Sequence, residues 1–293
     1  MAFRYLTSGE SHGKCLNAII EGVPAGIQID ENYINSHLAR RQVGYGRGGR
    51  MKIETDRVKI NSGIRHGVTT GAPICLEIEN KDWENWTIPM STSPVDLSDP
   101  EIEKSVLSKK ITNIRPGHAD LAGALKYNHT DIRNILERSS ARETATRVAV
   151  GAIAQNILAN FGIEIFSHVL RIGEVAVNVA NLPDDYTKLK ELAENSDLRC
   201  ADSNTAEQMR KHIDQAKEAG DTLGGIFELV ALNLPVGLGS FVHWDRKLDG
   251  LIAQAIMSIP AIKSVEIGLG TGCAEYPGSK VHDEIYPKQD NTG

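Results

Sequence analysis

Residues 136–147 read LERSSARETATR and open the longest stretch of helical periodicity in the chain. Ser140 and Glu143 form the S-x-x-E pattern of a capping box. This pattern predicts that a helix begins at Ser140 and runs to Phe161, and that polar residues precede it. The alternative is one continuous helix from Asp131, which would place Ser140 in the middle of a helix.

Arginines are concentrated at this predicted helix start and in one earlier segment. A helix that begins at Ser140 offers unpaired backbone N–H groups to an anion. Around it, among few acids, lie Arg133, Arg138, Arg142 and Arg147. Residues 40–52 read RRQVGYGRGGRMK, with five cations and no acid. In a chain of net charge −6, such clusters favour a small ligand with several carboxylate or phosphate groups. A solvated basic face is the alternative for any single arginine.

The flanking sequence predicts a mixture of strands and helices. Residues 73–80 alternate apolar and polar side chains, as a strand with one buried face requires. Further strands are predicted at 3–7, 17–21, 58–62, 164–167, 173–179, 225–234 and 262–268. Further helices are predicted at 31–41, 119–127, 184–194, 205–219 and 246–258. Residues 18–41 and 229–257 share an order of strand, Pro-x-Gly turn, short strand, Asp and helix. This similarity in the order of elements fits an internal duplication or two unrelated hairpins equally well.

The composition is that of an ordinary globular protein. Of 293 residues, 41% are hydrophobic and 24% charged, which leaves ample material for a large core. No run of 18 apolar residues and no signal peptide is recognisable, so we expect a cytoplasmic protein without a membrane segment. The four cysteines form no CxxC pair, which argues against a metal site and favours reduced thiols. The negative net charge argues against nucleic-acid binding.

One glycine-rich pattern imitates a nucleotide-binding loop. Residues 44–49 read GYGRGG and match G-x-G-x-x-G, but a dinucleotide-binding loop follows a strand and opens a helix. Here the pattern follows a predicted helix and leads into a strand, so we reject that interpretation. No G-x-x-x-x-G-K-[ST] sequence occurs, which argues against ATP-driven phosphoryl transfer. The glycines would instead allow close approach of the backbone to a ligand, with charge from Arg47 and Arg50.

Two histidines lie in turns next to predicted elements. His12 lies in the sequence GESHG (residues 9–13), directly after the first strand, and His118 lies in RPGHAD (residues 115–120), before a helix. The ordinary pKa of an imidazole, about 6.5, suits proton transfer at neutral pH. For His12, the alternative is a surface-loop histidine without a catalytic role.

Seven motifs in order resemble those of the chorismate synthase family and cover residues 4 to about 284. They are GESHG, RRQxGYGRGGRM, SGIRHGVTTGAPI, RPGHADL, RSSARETATRVA, GDTLGG and PVGLGSFVHWDRKLD. The resemblance implies an α+β fold, with helices sandwiched between antiparallel β-sheets, as a single domain over residues 1–293. It also implies a homotetramer.

The same resemblance implies a lyase of the shikimate pathway, which serves aromatic amino acid biosynthesis. Enzymes of this family convert 5-enolpyruvylshikimate 3-phosphate to chorismate and phosphate by an anti-1,4-elimination that needs reduced FMN. The substrate carries two carboxylates and a phosphate, which would give the arginine clusters a purpose. NADPH is a candidate reductant for the flavin, and a separate flavin reductase is the alternative source of electrons.

Motif matching carries residue roles from the family to this chain. His12 would be the acid near the leaving phosphate, and His118 would protonate or hold the reduced flavin near N1. Substrate anions would be bound by Ser11, Arg41, Arg47, Arg115 and Arg142. FMN would contact Arg138, Ser139, Ser140, Pro260 and Ala261. NADPH would contact Arg41 and Arg47 in a member that reduces its own flavin.

The chain departs from the family pattern at two places. Pro260 stands where many relatives have Asn, so a flavin contact there would use the backbone or the ring. The sequence ends at Gly293, before the family's T-N-x-x-G-G, K-P-x-x-T and R-x-D segments, which carry further flavin contacts and an aspartate that helps to remove the C6 proton. A catalytically incomplete relative that binds FMN or phosphate is therefore the alternative to an active enzyme.

Overall fold

The first antiparallel sheet is built from the N-terminal third of the chain, in a computed structural model that describes residues 3–47 and 55–286. Its strand order is β1-β2-β6-β3. The strands are β1 (Arg4–Ser8), β2 (Cys15–Glu21), β3 (Val58–Ser62) and β6 (Ile74–Glu79). A small hairpin of β4 (Ile64–Arg65) and β5 (Val68–Thr69) lies between β3 and β6 in sequence. The apolar side chains of β6 at 74, 76 and 78 are all buried, which confirms the predicted alternation.

The second antiparallel sheet has the order β8-β7-β9. Its strands are β7 (Glu164–Ile172), β8 (Val175–Ala176) and β9 (Gly225–Leu232). The strand predicted at 173–179 is shortened to β8, because the chain turns into a 3₁₀ helix at Val179–Asn181. Each strand pair in both sheets is antiparallel.

Eight α-helices lie in the described part of the chain. They are α1 (Glu31–Gln42), α2 (Pro100–Lys109), α3 (Asp120–Tyr127), α4 (Arg133–Ser139), α5 (Thr144–Ala159), α6 (Tyr186–Glu194), α7 (Ser203–Glu218) and α8 (Leu248–Met257). Four of them begin after an aspartate whose side chain accepts backbone N–H bonds, namely Asp30, Asp99, Asp185 and Asp202. Such a cap satisfies donors that a helix start leaves open. None of the helices described is long and apolar enough to cross a bilayer.

Helix α5 lies between the two sheets and forms the centre of the core. It packs against β2 and β6 of the first sheet and beside α1, and it also contacts β7 of the second sheet. Ala145, Ala149 and Ala152 are fully buried on this helix, and their small side chains allow close approach of the strands. The predicted α+β arrangement, with helices between antiparallel sheets, is therefore confirmed.

The helical stretch breaks at Ser140, so the alternative of one continuous helix is wrong. Ser140 has an extended backbone and ends α4, and its hydroxyl accepts the backbone N–H of Arg142 at 3.3 Å. A 3₁₀ turn at Ala141–Glu143 follows, and α5 begins only after it. The reciprocal capping box does not form, since the backbone N–H of Glu143 donates to the Ser140 carbonyl oxygen. The Glu143 carboxylate instead accepts hydrogen bonds from Thr7 Oγ1 at 3.0 Å and from Arg147 Nε at 3.0 Å.

The chain divides into two compact units, with the boundary between Leu234 and Pro235. The second unit contains α8 and 3₁₀ turns at Trp244–Arg246, Gly270–Glu275 and Gly278–Lys280. Residues 262–268 form no strand, contrary to the prediction. Residues 229–257 share with 18–41 a strand followed by a helix, but the short second strand is only an isolated bridge at Gln28 in the earlier segment and is absent from the later one. Two compact units can belong to one domain, so the single domain over 1–293 stays a prediction.

Candidate active site

The loop between β1 and β2 carries His12 at the tip of a tight hairpin. Gly9 begins this loop with φ of +102°, and a Cβ there would lie 2.4 Å from the carbonyl oxygen of Cys15. Only glycine fits such a backbone and such a close approach. The glycine therefore fixes the course of the backbone at the start of the loop that carries His12.

A buried side-chain amide holds the same loop through hydrogen bonds. Asn80, at the end of β6, donates from Nδ2 to the carbonyl oxygens of Glu10 (3.1 Å) and Gly13 (2.7 Å). Its Oδ1 accepts a hydrogen bond from Arg142 Nε at 2.9 Å. Asn80 thus connects the hairpin tip to the first turn after the Ser140 break.

His12 is bound by the carboxylate of Glu137, which the sequence analysis did not single out. The backbone N–H of His12 donates to Glu137 Oε2 at 2.7 Å, and its ring Nδ1 lies 2.9 Å from Oε1. The neighbouring Ser11 donates its own N–H to the Glu137 carbonyl oxygen at 3.0 Å. One residue of α4 therefore fixes both the main chain and the imidazole at the hairpin tip.

The Glu137 side chain is only 1% exposed, so its charge needs compensation. Burial by itself raises the pKa of this carboxyl, but hydrogen bonds from His12 and Arg133 outweigh burial and hold the pKa below its usual value. Arg133 Nη1 lies 2.8 Å from Glu137 Oε1, one helical turn away. The carboxylate therefore stays ionised at neutral pH.

The indole of Trp86 packs against the His12 ring, with a centroid separation of 4.0 Å and an interplanar angle of 31°. Two cations approach the same indole, Lys109 at 4.4 Å and Arg133 at 4.9 Å from its centroid. Asp82 holds the indole by accepting its N–H at 2.8 Å. The indole that packs against His12 therefore carries two cations, while the His12 ring itself contacts the carboxylate of Glu137.

Two of the predicted substrate-binding arginines share one buried carboxylate. Arg142 Nη1 donates to Asp56 Oδ2 at 2.7 Å, and Arg41 Nη1 lies 3.7 Å from the same oxygen. The second oxygen, Asp56 Oδ1, is buried with no hydrogen-bond partner within residues 3–47 and 55–286. Arg41 also donates to Thr144 Oγ1 at 3.1 Å, and its carbonyl oxygen accepts from Arg47 at 2.7 Å. Residue 50, which the sequence analysis grouped with Arg47, lies outside the described residues.

His118 belongs to a second cluster, formed around Asp120 at the start of α3. Arg115 Nε donates to Asp120 Oδ2 at 2.9 Å, and His118 Nδ1 lies 2.5 Å from Oδ1. The hydrogen bond from Arg115 holds the pKa of the buried Asp120 well below its usual range, against the effect of burial. The fixed carboxylate positions both side chains.

The two histidine clusters are linked by helix packing. Helix α3, which follows His118, packs against α4, which carries Glu137. The contact is close at Gly123, where a Cβ would lie 2.6 Å from Ile135 Cγ1. A side chain at this position would push the helices apart.

The residues predicted to contact FMN fall into two groups. Arg138, Ser139 and Ser140 lie at the break between α4 and α5, and Ser140 Oγ donates to Ser11 Oγ at 3.1 Å. Arg138 is exposed and donates to the carbonyl oxygen and the hydroxyl of Thr7 at 2.9 and 2.8 Å. The second group, Pro260 and Ala261, lies in the second compact unit, where Ala261 has φ of +71°.

The structure thus brings residues 137–142 into contact with the hairpin tip that carries His12. His12, Ser11 and the arginines are recognisable as candidate site residues in the sequence. Glu137, Asp56, Asn80, Trp86 and the anchoring role of Asp120 are not. The one available signal was the i,i+4 spacing of Arg133 and Glu137, which is common on exposed helices. No group of three metal-ligating side chains occurs in the described part of the chain.

Comparison with known proteins gives a consistent result. The family model for chorismate synthase matches residues 3–293. A chorismate synthase of Carboxydothermus hydrogenoformans is 56% identical over 285 residues, 97% of this chain and 71% of the relative. One of Geobacter sulfurreducens is 56% identical over 283 residues, 97% of this chain and 70% of the relative. A solved structure titled as chorismate synthase superimposes with a TM-score of 0.79 at 45% identity, and covers 98% of this chain and 75% of its own.

Proposed function

The chain belongs to the chorismate synthase family, and from this premise we propose that the clusters around His12 and His118 form its active site. Its function is the carbon–oxygen lyase reaction of the shikimate pathway, the anti-1,4-elimination of phosphate from 5-enolpyruvylshikimate 3-phosphate to give chorismate. The individual roles of the residues are our proposal, argued below from their contacts.

The observation that carries the proposal is the pair of His12 and Glu137 at the hairpin tip. An imidazolium whose Nδ1 donates to a buried carboxylate can deliver its second proton, from Nε2, to a phosphate oxygen as the C–O bond breaks. The electron pair of that bond leaves with the phosphate, and the added proton lowers the charge that develops on it. The proton at C6 is released as well, and the electron pair of the C6–H bond forms the new double bond of the product. His12 therefore acts as the acid for the leaving group.

The arginines bind the substrate's three anionic groups. Arg115 is accessible, with a side chain 46% exposed, and Asp120 fixes its guanidinium fork toward a carboxylate or phosphate. Arg142 and Arg41 carry two positive charges against the single negative charge of Asp56. These three side chains together therefore keep a net positive charge. Ser11 and Arg47 complete the proposed set of substrate-binding residues.

The side chains at the Ser140 break suit FMN in their chemistry. Arg138 offers an exposed guanidinium that matches a phosphate. The hydroxyls of Ser139 and Ser140 donate to the Ile135 carbonyl oxygen and to Ser11, so they would accept hydrogen bonds from a ribityl chain. When bound, reduced FMN supplies electron density that assists C–O cleavage. His118, fixed by Asp120, holds or protonates the reduced flavin near N1, and we assign further contacts to Pro260 and Ala261.

We further propose NADPH as a reductant that contacts Arg41 and Arg47. A cavity of about 440 Å³ is bordered by Arg47, and by Arg40 and Arg199, which both pair with Glu194. Arg41 does not line it, so the cavity supports the contact with Arg47 alone. A separate flavin reductase is the alternative electron source. A cytoplasmic homotetramer follows the family pattern.

Single-turnover kinetics with chemically reduced FMN under strict anaerobiosis test the two histidine roles. His12→Ala and His118→Ala should each slow phosphate release by roughly 10²–10⁴-fold, the usual contribution of a proton-transfer group. His129→Ala, which removes an exposed histidine between α3 and α4, is the matched control and should leave the rate unchanged. A wild-type rate for either test variant would remove that residue from the mechanism.

A further inference from the structure

We propose that Glu137 is a positioning residue for the reaction, which keeps the proton of neutral His12 on Nδ1 and so makes Nε2 the nitrogen that protonates the leaving phosphate. This inference rests on the proposed role of His12 as the acid. It concerns a residue that touches neither substrate nor flavin in our account and acts only through the imidazole.

The geometry of the contact supports orientation of the ring. The carboxylate accepts from the backbone N–H of His12 at 2.7 Å and lies 2.9 and 3.0 Å from ring Nδ1. Two donors of the same residue thus bind one carboxylate, which restricts rotation about the side-chain bonds of His12. Trp86 packs against the ring face and further limits its orientation.

The same contact selects the tautomer. A carboxylate is an acceptor only, so the ring nitrogen that faces it must carry the proton. In the acid form both nitrogens are protonated, and transfer from Nε2 leaves a neutral ring that still donates from Nδ1 to Glu137. The proton ends on the phosphate oxygen, and the ring regains one from solvent before the next turnover.

Charge around the ring explains why a carboxylate is needed there. Glu137 from α4 contacts the ring directly, Trp86 packs against its face, and Lys109 and Arg133 lie over the Trp86 indole. Arg133, at 2.8 Å from Glu137, keeps that carboxylate ionised. Removal of the negative charge would therefore make the acid form of His12 harder to populate.

A direct test without mutation is the tautomer of His12 in the folded chain. Nitrogen NMR of ¹⁵N-histidine-labelled protein, with His12→Ala to identify the signal, should show neutral His12 protonated on Nδ1. Protonation on Nε2 would overturn the proposal.

The kinetic test uses Glu137→Gln, an isosteric change that removes the charge. We expect a roughly 10–100-fold lower kcat, by analogy with the loss of a partner that orients a metal-bound histidine, with little change in KM. Because the acid form is needed, the alkaline limb of the kcat profile should move to lower pH. Glu137→Asp keeps the charge, so it should leave that limb near its wild-type position; it also serves as the second variant if the glutamine variant does not fold.

The chain offers a matched control. Glu228 lies 2.8 Å from Nε2 of the buried His168 in the second sheet, so Glu228→Gln removes the same kind of contact elsewhere. It should leave kcat and its pH profile unchanged, and an equal shift in both variants would overturn the positioning role.

The outcomes separate this inference from the proposed function. If His12→Ala loses turnover while Glu137→Gln keeps the wild-type kcat and pH profile, the role of His12 stands and the positioning role of Glu137 is wrong. If His12→Ala is fully active, both are wrong.

Discussion

Asp56 accepts a hydrogen bond from Arg142 at 2.7 Å, and the two side chains are 0% and 6% exposed. This ion pair joins the loop before β3 to the turn that follows the Ser140 break. Arg41 reaches the same carboxylate oxygen from α1. A single buried anion therefore fixes two of the arginines that we assign to the substrate.

Asp56→Asn should destabilise the protein strongly. It leaves two guanidinium groups without their shared counter-charge, and removal of one partner of a buried ion pair typically costs about 3–5 kcal/mol. The free energy of unfolding from urea titration measures the effect. Asp197→Asn is the control, because the Asp197–Arg210 pair is 40% and 35% exposed and should contribute about 1 kcal/mol or less. Equal losses in the two variants would show that Asp56 has no special structural role.

Arg142→Ala should weaken substrate binding far more than flavin binding. Loss of a charged hydrogen-bond donor costs about 1.5–3 kcal/mol, so we expect a roughly 10–100-fold higher Kd for 5-enolpyruvylshikimate 3-phosphate. Equilibrium titration with the substrate and, separately, with FMN measures both. Arg210→Ala, at an exposed ion pair, should change neither constant. Equal losses for both ligands in Arg142→Ala would rule out a selective substrate role.

Gly9→Ala should disturb the hairpin tip that carries His12. The added methyl would lie 2.4 Å from the Cys15 carbonyl oxygen, at a residue with φ of +102°. Gly26→Ala separates the two effects, because Gly26 also has positive φ (+89°) but no atom within 4 Å of the new methyl. We expect a loss of about 1–2 kcal/mol from backbone strain at Gly26 and a clearly larger loss at Gly9, both measured by urea denaturation. Similar losses would mean that the hairpin relaxes around the methyl group.

Glu194→Gln should reduce stability in a way that depends on pH. Hydrogen bonds from Arg199 and Arg40 lower the pKa of Glu194 to about 2, although burial opposes them. A depressed pKa stabilises the folded state above the unfolded value of 4.5, and this contribution is lost as the pH falls toward 2. Because the carboxylate is 35% exposed, we expect only about 1–2 kcal/mol at pH 7.

Urea denaturation of wild type and Glu194→Gln at pH 7, 5 and 3 tests the direction of this pH dependence. The difference in unfolding free energy should be largest at pH 7 and shrink toward pH 3. A difference that stays constant over this range would contradict the assigned pKa.

Local sequence signals predicted much of the fold. Alternation identified β6, and the serine with its partner three residues later located the break at Ser140, because both signals depend on neighbours in sequence. The strand predicted at 262–268 was wrong, because apolar alternation alone does not supply a partner strand. Helix α2 was missed, although Asp99 before Pro100 is a common helix start.

The site was predictable only in part, for a similar reason. His12 and His118 lie in glycine-containing turns, and this local pattern indicates candidate site residues. Glu137 lies 125 residues from His12, and only the folded hairpin brings them together. In the sequence, its spacing from Arg133 indicates no more than an ordinary helical ion pair.

The most direct test of the account is a strictly anaerobic assay of this chain with chemically reduced FMN and 5-enolpyruvylshikimate 3-phosphate, following chorismate and phosphate in the same sample. We predict release of the two products in equal amounts, and only when the flavin is reduced. Absence of both products, from folded protein at saturating substrate and FMN, would contradict the central claim that this chain catalyses the elimination.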